Sequence, residues 1–287
     1  MSYDIISFGP ALTSQLDTSL LFDVSYKEES HSPIDQFIKN TNKINVIVSQ
    51  LDGITSERSS LYLLGYVSAV ESFVRALIRN IIQVDSFSRK AVGEKEIKFS
   101  AAMHHEKKLL PEALMDDFSF TKYSNIKDTF KSLIDININI NEQIVAEFDK
   151  ICQLRHCSVH RFGKLGAKNA SFLGIDSHSK MLEKPLNIDL NQLFIIFENL
   201  RIFVRALNNA VYKAILNRTY PIGKPKDYRV KPENIWSKIY SSDKEKFSGY
   251  YNTFRSKLDN FKSPTAKVMY NLFISARQAE QSTQPNQ

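Results

Sequence analysis

From Arg58 to Val84 the chain reads RSSLYLLGYVSAVESFVRALIRNIIQV. Its apolar residues Leu63, Tyr66, Val67, Val70, Phe73, Val74, Leu77, Ile81 and Val84 recur three and four apart, with Arg75 and Arg79 off the stripe. Strict alternation fails and the run is too long for a strand, so the pattern predicts a buried helix. A second stripe, Leu190, Leu193, Phe194, Phe197, Leu200, Val204, Leu207, Val211 and Ile215, predicts another long helix, with Asp189 as N-cap. A third runs through Ile144, Phe148, Ile151, Cys152 and Arg155. Upstream, Ser32 to Gly53 reads as a helix with Pro33 in its first turn and Gly53 as its stop.

Between these stripes the pattern is weaker. Asp85 to Tyr123 is polar and mixed, and reads as an insertion (85–123) of short helices. Ser124 to Asp135 resembles a short helix. The run INININ, Ile136 to Asn141, alternates like a strand but has no partner segment nearby, so a connector is expected. After Arg155 the chain turns polar and passes Gly163 and Gly166, which predicts a loop before Asp189. Beyond Thr219 the segment TYPIGKPKDYRVKP breaks the helical pattern, and two smaller helices are expected around Ile235 and Val268. The end, QAEQSTQPNQ, is polar and aperiodic and reads as a disordered tail. The expectation is an all-α protein. It has an N-terminal segment (1–31), a helical domain (32–218), a C-terminal helical extension (219–276) and a tail (277–287).

Composition narrows the class. Nine glycines and nine prolines in 287 residues are few, which suits long regular elements. A net charge of +7 favours polyanionic partners, nucleic acid among them. Cys152 and Cys157 lie five apart in one predicted helix and point about 140° apart, which disfavours a disulfide between them. Two reduced cysteines, no basic leader and no run of about 18 uncharged apolar residues give the expectation of a soluble, cytoplasmic protein with no membrane partner.

The chemistry-bearing residues concentrate in EFDKICQLRHCSVHRFGKLG, Glu147 to Gly166, where Arg155, His156, Cys157, Ser158 and His160 fall within six positions. An arginine followed five residues later by a histidine is a weak pattern, since 6 histidines in this length give on the order of one such match by chance. Context adds more. Arg155 sits on an apolar stripe, where it needs a partner. On an ideal helix Arg155 and His160 point about 140° apart, so convergence requires the helix to end or bend, or a second subunit to complete the site. A salt-bridged Arg155 with His160 as a C-terminal cap is the bland alternative. Cys152, His156 and His160, spaced by four, suggest a metal stripe, but its outer members lie about 12 Å apart along the axis, too far for one ion. No metal and no cofactor are expected.

The stretch QLRHCSVHRFGKLG resembles the hallmark of the HEPN superfamily: arginine, a polar residue, then histidine four to six positions on. Arg155, His156 and His160 match in order, and the apolar Val159 and the following glycines are similar to the family pattern. LLGYVSAVESFVRALI resembles the family's early core helix, with Glu71 where an acid commonly stands. The resemblance covers roughly residues 32–218 and implies a HEPN-like helical bundle. It also implies a metal-independent endoribonuclease acting on RNA, of the branch associated with toxins and antiviral defence. In that reading Arg155, His160 and His156 are catalytic, and Glu71 and Ser158 support them. Arg161 and Lys164 hold backbone phosphates. Family members typically dimerise with two motifs facing one groove, so a homodimer is expected, with an antitoxin or regulatory protein as a further partner. The competing expectation is a non-catalytic HEPN-like module that binds a nucleotide or a protein.

Overall fold

The computed structural model describes residues 6, 14–27, 29–222 and 236–283. Residues 1–30 form one unit, which holds a 3₁₀ turn, Thr18–Leu21, capped by the Asp17 side chain. Residues 31–287 form the other and carry the helices. Among the described residues there is no strand, and the all-α expectation holds.

The first helix, α1 (Pro33–Val48), starts where Ser32 accepts a hydrogen bond from the Asp35 amide and Pro33 occupies the first turn. It stops at Val48, short of Gly53; in its second half only Ile44 and Val48 pack on the core, while Val46 and Ile47 are exposed. The long α2 (Ser56–Val84) is capped by Thr55 and buries Leu63, Val70, Val74, Leu77, Ile78 and Ile81. It is the central helix, and α1 crosses it closely at Gly65, where a Cβ would meet Ile44 Cδ1 at 2.9 Å. By length and composition α2 is a described helix apolar enough to cross a bilayer, although Glu71, Arg75 and Arg79 interrupt it and it holds no run of about 18 uncharged apolar residues. Here that apolar stripe faces other helices of the same chain.

The mixed region folds as α3 (Ser86–Val92), α4 (Phe99–His104) and α5 (Leu110–Ala113), and it sends Met115 and Phe120 into the core. Next, α6 (Tyr123–Ile134) ends on a left-handed Asp135. The alternating Ile136, Ile138 and Ile140 are all buried, with no strand partner. They anchor a connector across the core, as their spacing in an extended chain demands.

Three helices position the site. α7 (Glu142–Arg161) packs its apolar face on α2 and on α9 (Leu190–Thr219), where Phe148 stacks on Phe203 with ring centroids 3.8 Å apart. Asp189 and Gln192 close a reciprocal cap at the start of α9. Residues expected to form a loop instead fold as α8 (Ala167–His178), which kinks at Gly174 and packs back on α7. Cys157, Leu165 and Ala170 form a small second core between them.

The C-terminal part shares the main core. Trp236 is buried against Phe247, Tyr250, Tyr270 and Phe273, and its indole donates to the Thr219 hydroxyl at 3.0 Å. Helices α10 (Tyr240–Phe254) and α11 (Ala266–Ser282) follow. The helix expected around Ile235 lies outside the described residues, and the one around Val268 is α11. Part of the tail expected from 277 is helical instead, since α11 continues to Ser282. Arg277, nearly buried, holds that turn by donating to the Tyr220 carbonyl at 3.0 Å. Residues 284–287 lie outside the described residues.

Candidate functional site: a basic cleft between two helices

The segment from Arg155 to Arg161 is helical throughout, since α7 continues to Arg161 and closes on Phe162 and Gly163 in left-handed conformations. Gly163, at φ +86°, donates its amide to the Cys157 carbonyl at 3.0 Å. The helix therefore neither ends nor bends between Arg155 and His160, and within one chain the two side chains leave different faces of α7.

Arg155 stays on the face that packs toward α2. Its guanidinium lies 3.9 Å from the Glu71 carboxylate, and each side chain is about a quarter exposed. That distance is an ion pair without a short hydrogen bond, and it holds Arg155 beside α2 through charge. Ser158 is occupied locally, donating to the Leu154 carbonyl at 3.2 Å. Cys152 is wholly buried in the main core, and burial pushes its thiol well above the ordinary range. It therefore does not join His156 and His160 in a metal stripe. Among the described residues no group of three histidine, cysteine or carboxylate side chains is placed to hold a metal ion.

His156 and His160 share the opposite face, one turn apart. Their rings stack with centroids 6.0 Å apart and planes 16° apart. Both line a cleft of about 660 Å³ between α7 and α8. Its other walls include Lys122, at the N-cap of α6, and Lys168, Asn169 and Phe172 on α8. Asn169 ties α8 to α7 by donating to Gln153 at 3.0 Å. No carboxylate lines this cleft. Burial first, then the charges of Arg155, His160 and Lys168, holds the His156 imidazole below its ordinary 6.5, so it is neutral at neutral pH.

Arg161 also lines the cleft but is paired with Glu183. Lys164 lies just outside, in the segment that bridges Pro185, and its side chain is exposed. The structure thus gathers His156, His160 and Arg161, leaves Arg155 and Glu71 on the neighbouring flank, and adds Lys122 and Lys168. Neither lysine makes an ion pair among the described residues. Sequence reasoning missed both. Lys168 was hidden by reading its helix as loop, although Ala167, Ala170 and Leu173 repeat every three residues. Lys122 had no local signal.

Comparison with protein-family models, with curated proteins and with solved structures finds no match.

Proposed function

We propose that the chain is a HEPN-like, metal-independent endoribonuclease. The observation that carries this reading is the pair of stacked histidines in a cleft lined by cations and free of carboxylates. Such a cleft attracts phosphodiesters and offers proton transfer without a magnesium site. RNA contains its own nucleophile, the 2′-hydroxyl beside each phosphate. Neutral His156 accepts that proton as the 2′-oxygen attacks phosphorus, and His160 gives a proton to the departing 5′-oxygen. The products are a 2′,3′-cyclic phosphate and a 5′-hydroxyl. Lys122 and Lys168 balance charge on the crowded phosphorane. Arg155 reaches such a phosphate most directly from a second subunit, because it leaves the other face of α7. A toxin or antiviral effector role fits this activity, with an antitoxin or regulatory protein to restrain it.

One observation favours a non-catalytic HEPN-like nucleotide-binding or protein-interaction module instead: Arg155 pairs with Glu71 and does not line the cleft. Labelled RNA incubated with the purified chain in excess chelator separates the two readings. Cleavage leaving a cyclic phosphate is expected, and Arg155→Ala and His160→Ala each abolish it while circular dichroism stays helical. Activity that vanishes in chelator and returns with added zinc or magnesium refutes the assignment, as does wild-type cleavage by either variant.

A further inference from the structure

A second basic cleft lies in the C-terminal part, between α10, the start of α11 and the turn that joins them. Its cavity of about 600 Å³ is lined by Lys244, Arg255, Lys257 and Lys262, and no carboxylate shares the lining. Nearby acids are already engaged. Asp259 takes Arg205, Asp243 accepts from the Tyr270 hydroxyl, and Asp35 accepts the amides of Lys257 and Leu258. Four cations drawn together without acids repel one another unless an anion joins them. The cleft also offers hydroxyl and amide donors from Ser248, Asn252 and Thr265.

Behind it is a smaller recess of about 130 Å³, which shares Tyr251, Arg255 and Ser263 with the outer cleft. Phe254 and Met269 supply apolar walls, and Asn208 and Tyr212 supply polar ones. Asn208 is almost wholly buried and uses its amide nitrogen on the Phe254 carbonyl at 2.9 Å, but its Oδ1 has no partner among the described residues. The Tyr212 hydroxyl oxygen is likewise buried and unpartnered. An orphan acceptor and an orphan hydroxyl beside one cavity each carry a desolvation cost, and a bound polar ring would remove both.

We propose that this two-chamber site binds a phosphorylated nucleoside. The phosphate lies among the four cations, and the heterocycle enters the recess, where rotation of the Asn208 amide and the Tyr212 ring brings their buried oxygens round, Asn208 Oδ1 to accept from it and the Tyr212 hydroxyl to donate to it. The dimensions fit this division, because the recess of about 130 Å³ is close to a ~150 Å³ cavity that admits a benzene ring. Two sources provide this chemistry, a free nucleotide or the phosphorylated end of an RNA strand. The proposal does not rest on ribonuclease activity, and its test reads binding alone.

Calorimetric titration of the full chain uses the four nucleoside 5′-monophosphates, their nucleosides, inorganic phosphate, and a short RNA with either a 5′-phosphate or a 5′-hydroxyl. Saturable binding is expected for at least one monophosphate, weakened about tenfold or more in its nucleoside, whose charge-assisted contacts are gone. Binding of the 5′-phosphorylated RNA but not of the 5′-hydroxyl strand assigns the source to RNA ends, whereas preference for the monophosphate assigns it to free nucleotide. Lys244→Gln with Lys262→Gln should weaken binding about tenfold. Tyr212→Phe should weaken it too, yet leave thermal stability equal or higher, since it deletes an unsatisfied buried hydroxyl. Inorganic phosphate binding as tightly as every nucleotide, or no nucleotide binding at all, overturns the proposal.

Discussion

His156 and Arg155 are adjacent in sequence but face different surroundings. Burial and neighbouring positive charge disfavour the imidazolium, so the folded chain binds fewer protons at His156 than the unfolded chain does. The sign is definite: this contribution to stability is present above pH 6.5 and is lost as pH falls through the lowered value. Proton-detected titration of the His156 ring should give a midpoint below 6.5, moving upward in Arg155→Ala and in Lys168→Ala as each removes one like charge. A midpoint at or above 6.5 in the unmodified chain would remove the case for His156 as a neutral proton acceptor. Arg161 illustrates the opposite situation. Its pairing with Glu183 is exposed, so Glu183→Gln should change stability by roughly 0–1 kcal/mol while leaving the Arg161 cation free to meet phosphate.

At the scale of elements, one carboxylate ties the bundle together. Asp85 ends α2 and starts α3, accepting from the Ser88 amide at 2.7 Å and from the Tyr250 hydroxyl of α10 at 3.1 Å. Arg218, near the end of α9, pairs with it and also donates to the Ile134 carbonyl at 2.7 Å. Asp85 is fully buried, so removing it leaves the mostly buried Arg218 guanidinium without its counter-charge. Asp85→Ala should therefore destabilise the chain by about 3–5 kcal/mol, read as a lower urea midpoint with the slope unchanged. A loss under 1 kcal/mol would mean that water reaches Arg218 and replaces the partner. The sequence reading did not find this network. Asp85 and Arg218 are 133 positions apart, and no periodicity connects them.

For the whole molecule the open question is how Arg155 and His160 meet one phosphate. A continuous α7 sets them on different faces, so the proposed activity calls for two chains around one groove, with the 155–164 segments near a two-fold axis. Val159 and Phe162 are exposed beside His160, as are Phe172 and Ile175 on α8, which is apolar surface available for such a contact. Light scattering should return twice the 32.9 kDa chain mass. Mixed Arg155→Ala and His160→Ala chains should regain part of the activity that each lacks. A monomer that cleaves RNA at full rate at nanomolar concentration would exclude a composite site.

The long helices were legible because burial of a continuous stripe leaves a periodic trace. Leu63 to Val84 and Leu193 to Ile215 repeat at the helical period, and Asp189 marks the start of α9 by its own hydrogen-bonding chemistry, as Pro33 marks that of α1. The alternation of Ile136, Ile138 and Ile140 likewise encoded burial of every second residue, though not the absence of a strand partner. The stop of α1 before Gly53, the α8 helix and the extension of α11 through Ser282 were not legible. Each depends on what a neighbouring element covers or anchors. The cluster from Arg155 to His160 was visible as residue types at a spacing. Which of them share a cleft was decided by the fold: α8 closes over the histidine face, Glu71 draws Arg155 to the other, and Lys122 arrives from 34 positions upstream of His156. Local sequence carries periodicity and caps, because those are set by neighbours along the chain. Proximity between distant charges is set by packing, and only the tertiary structure holds it.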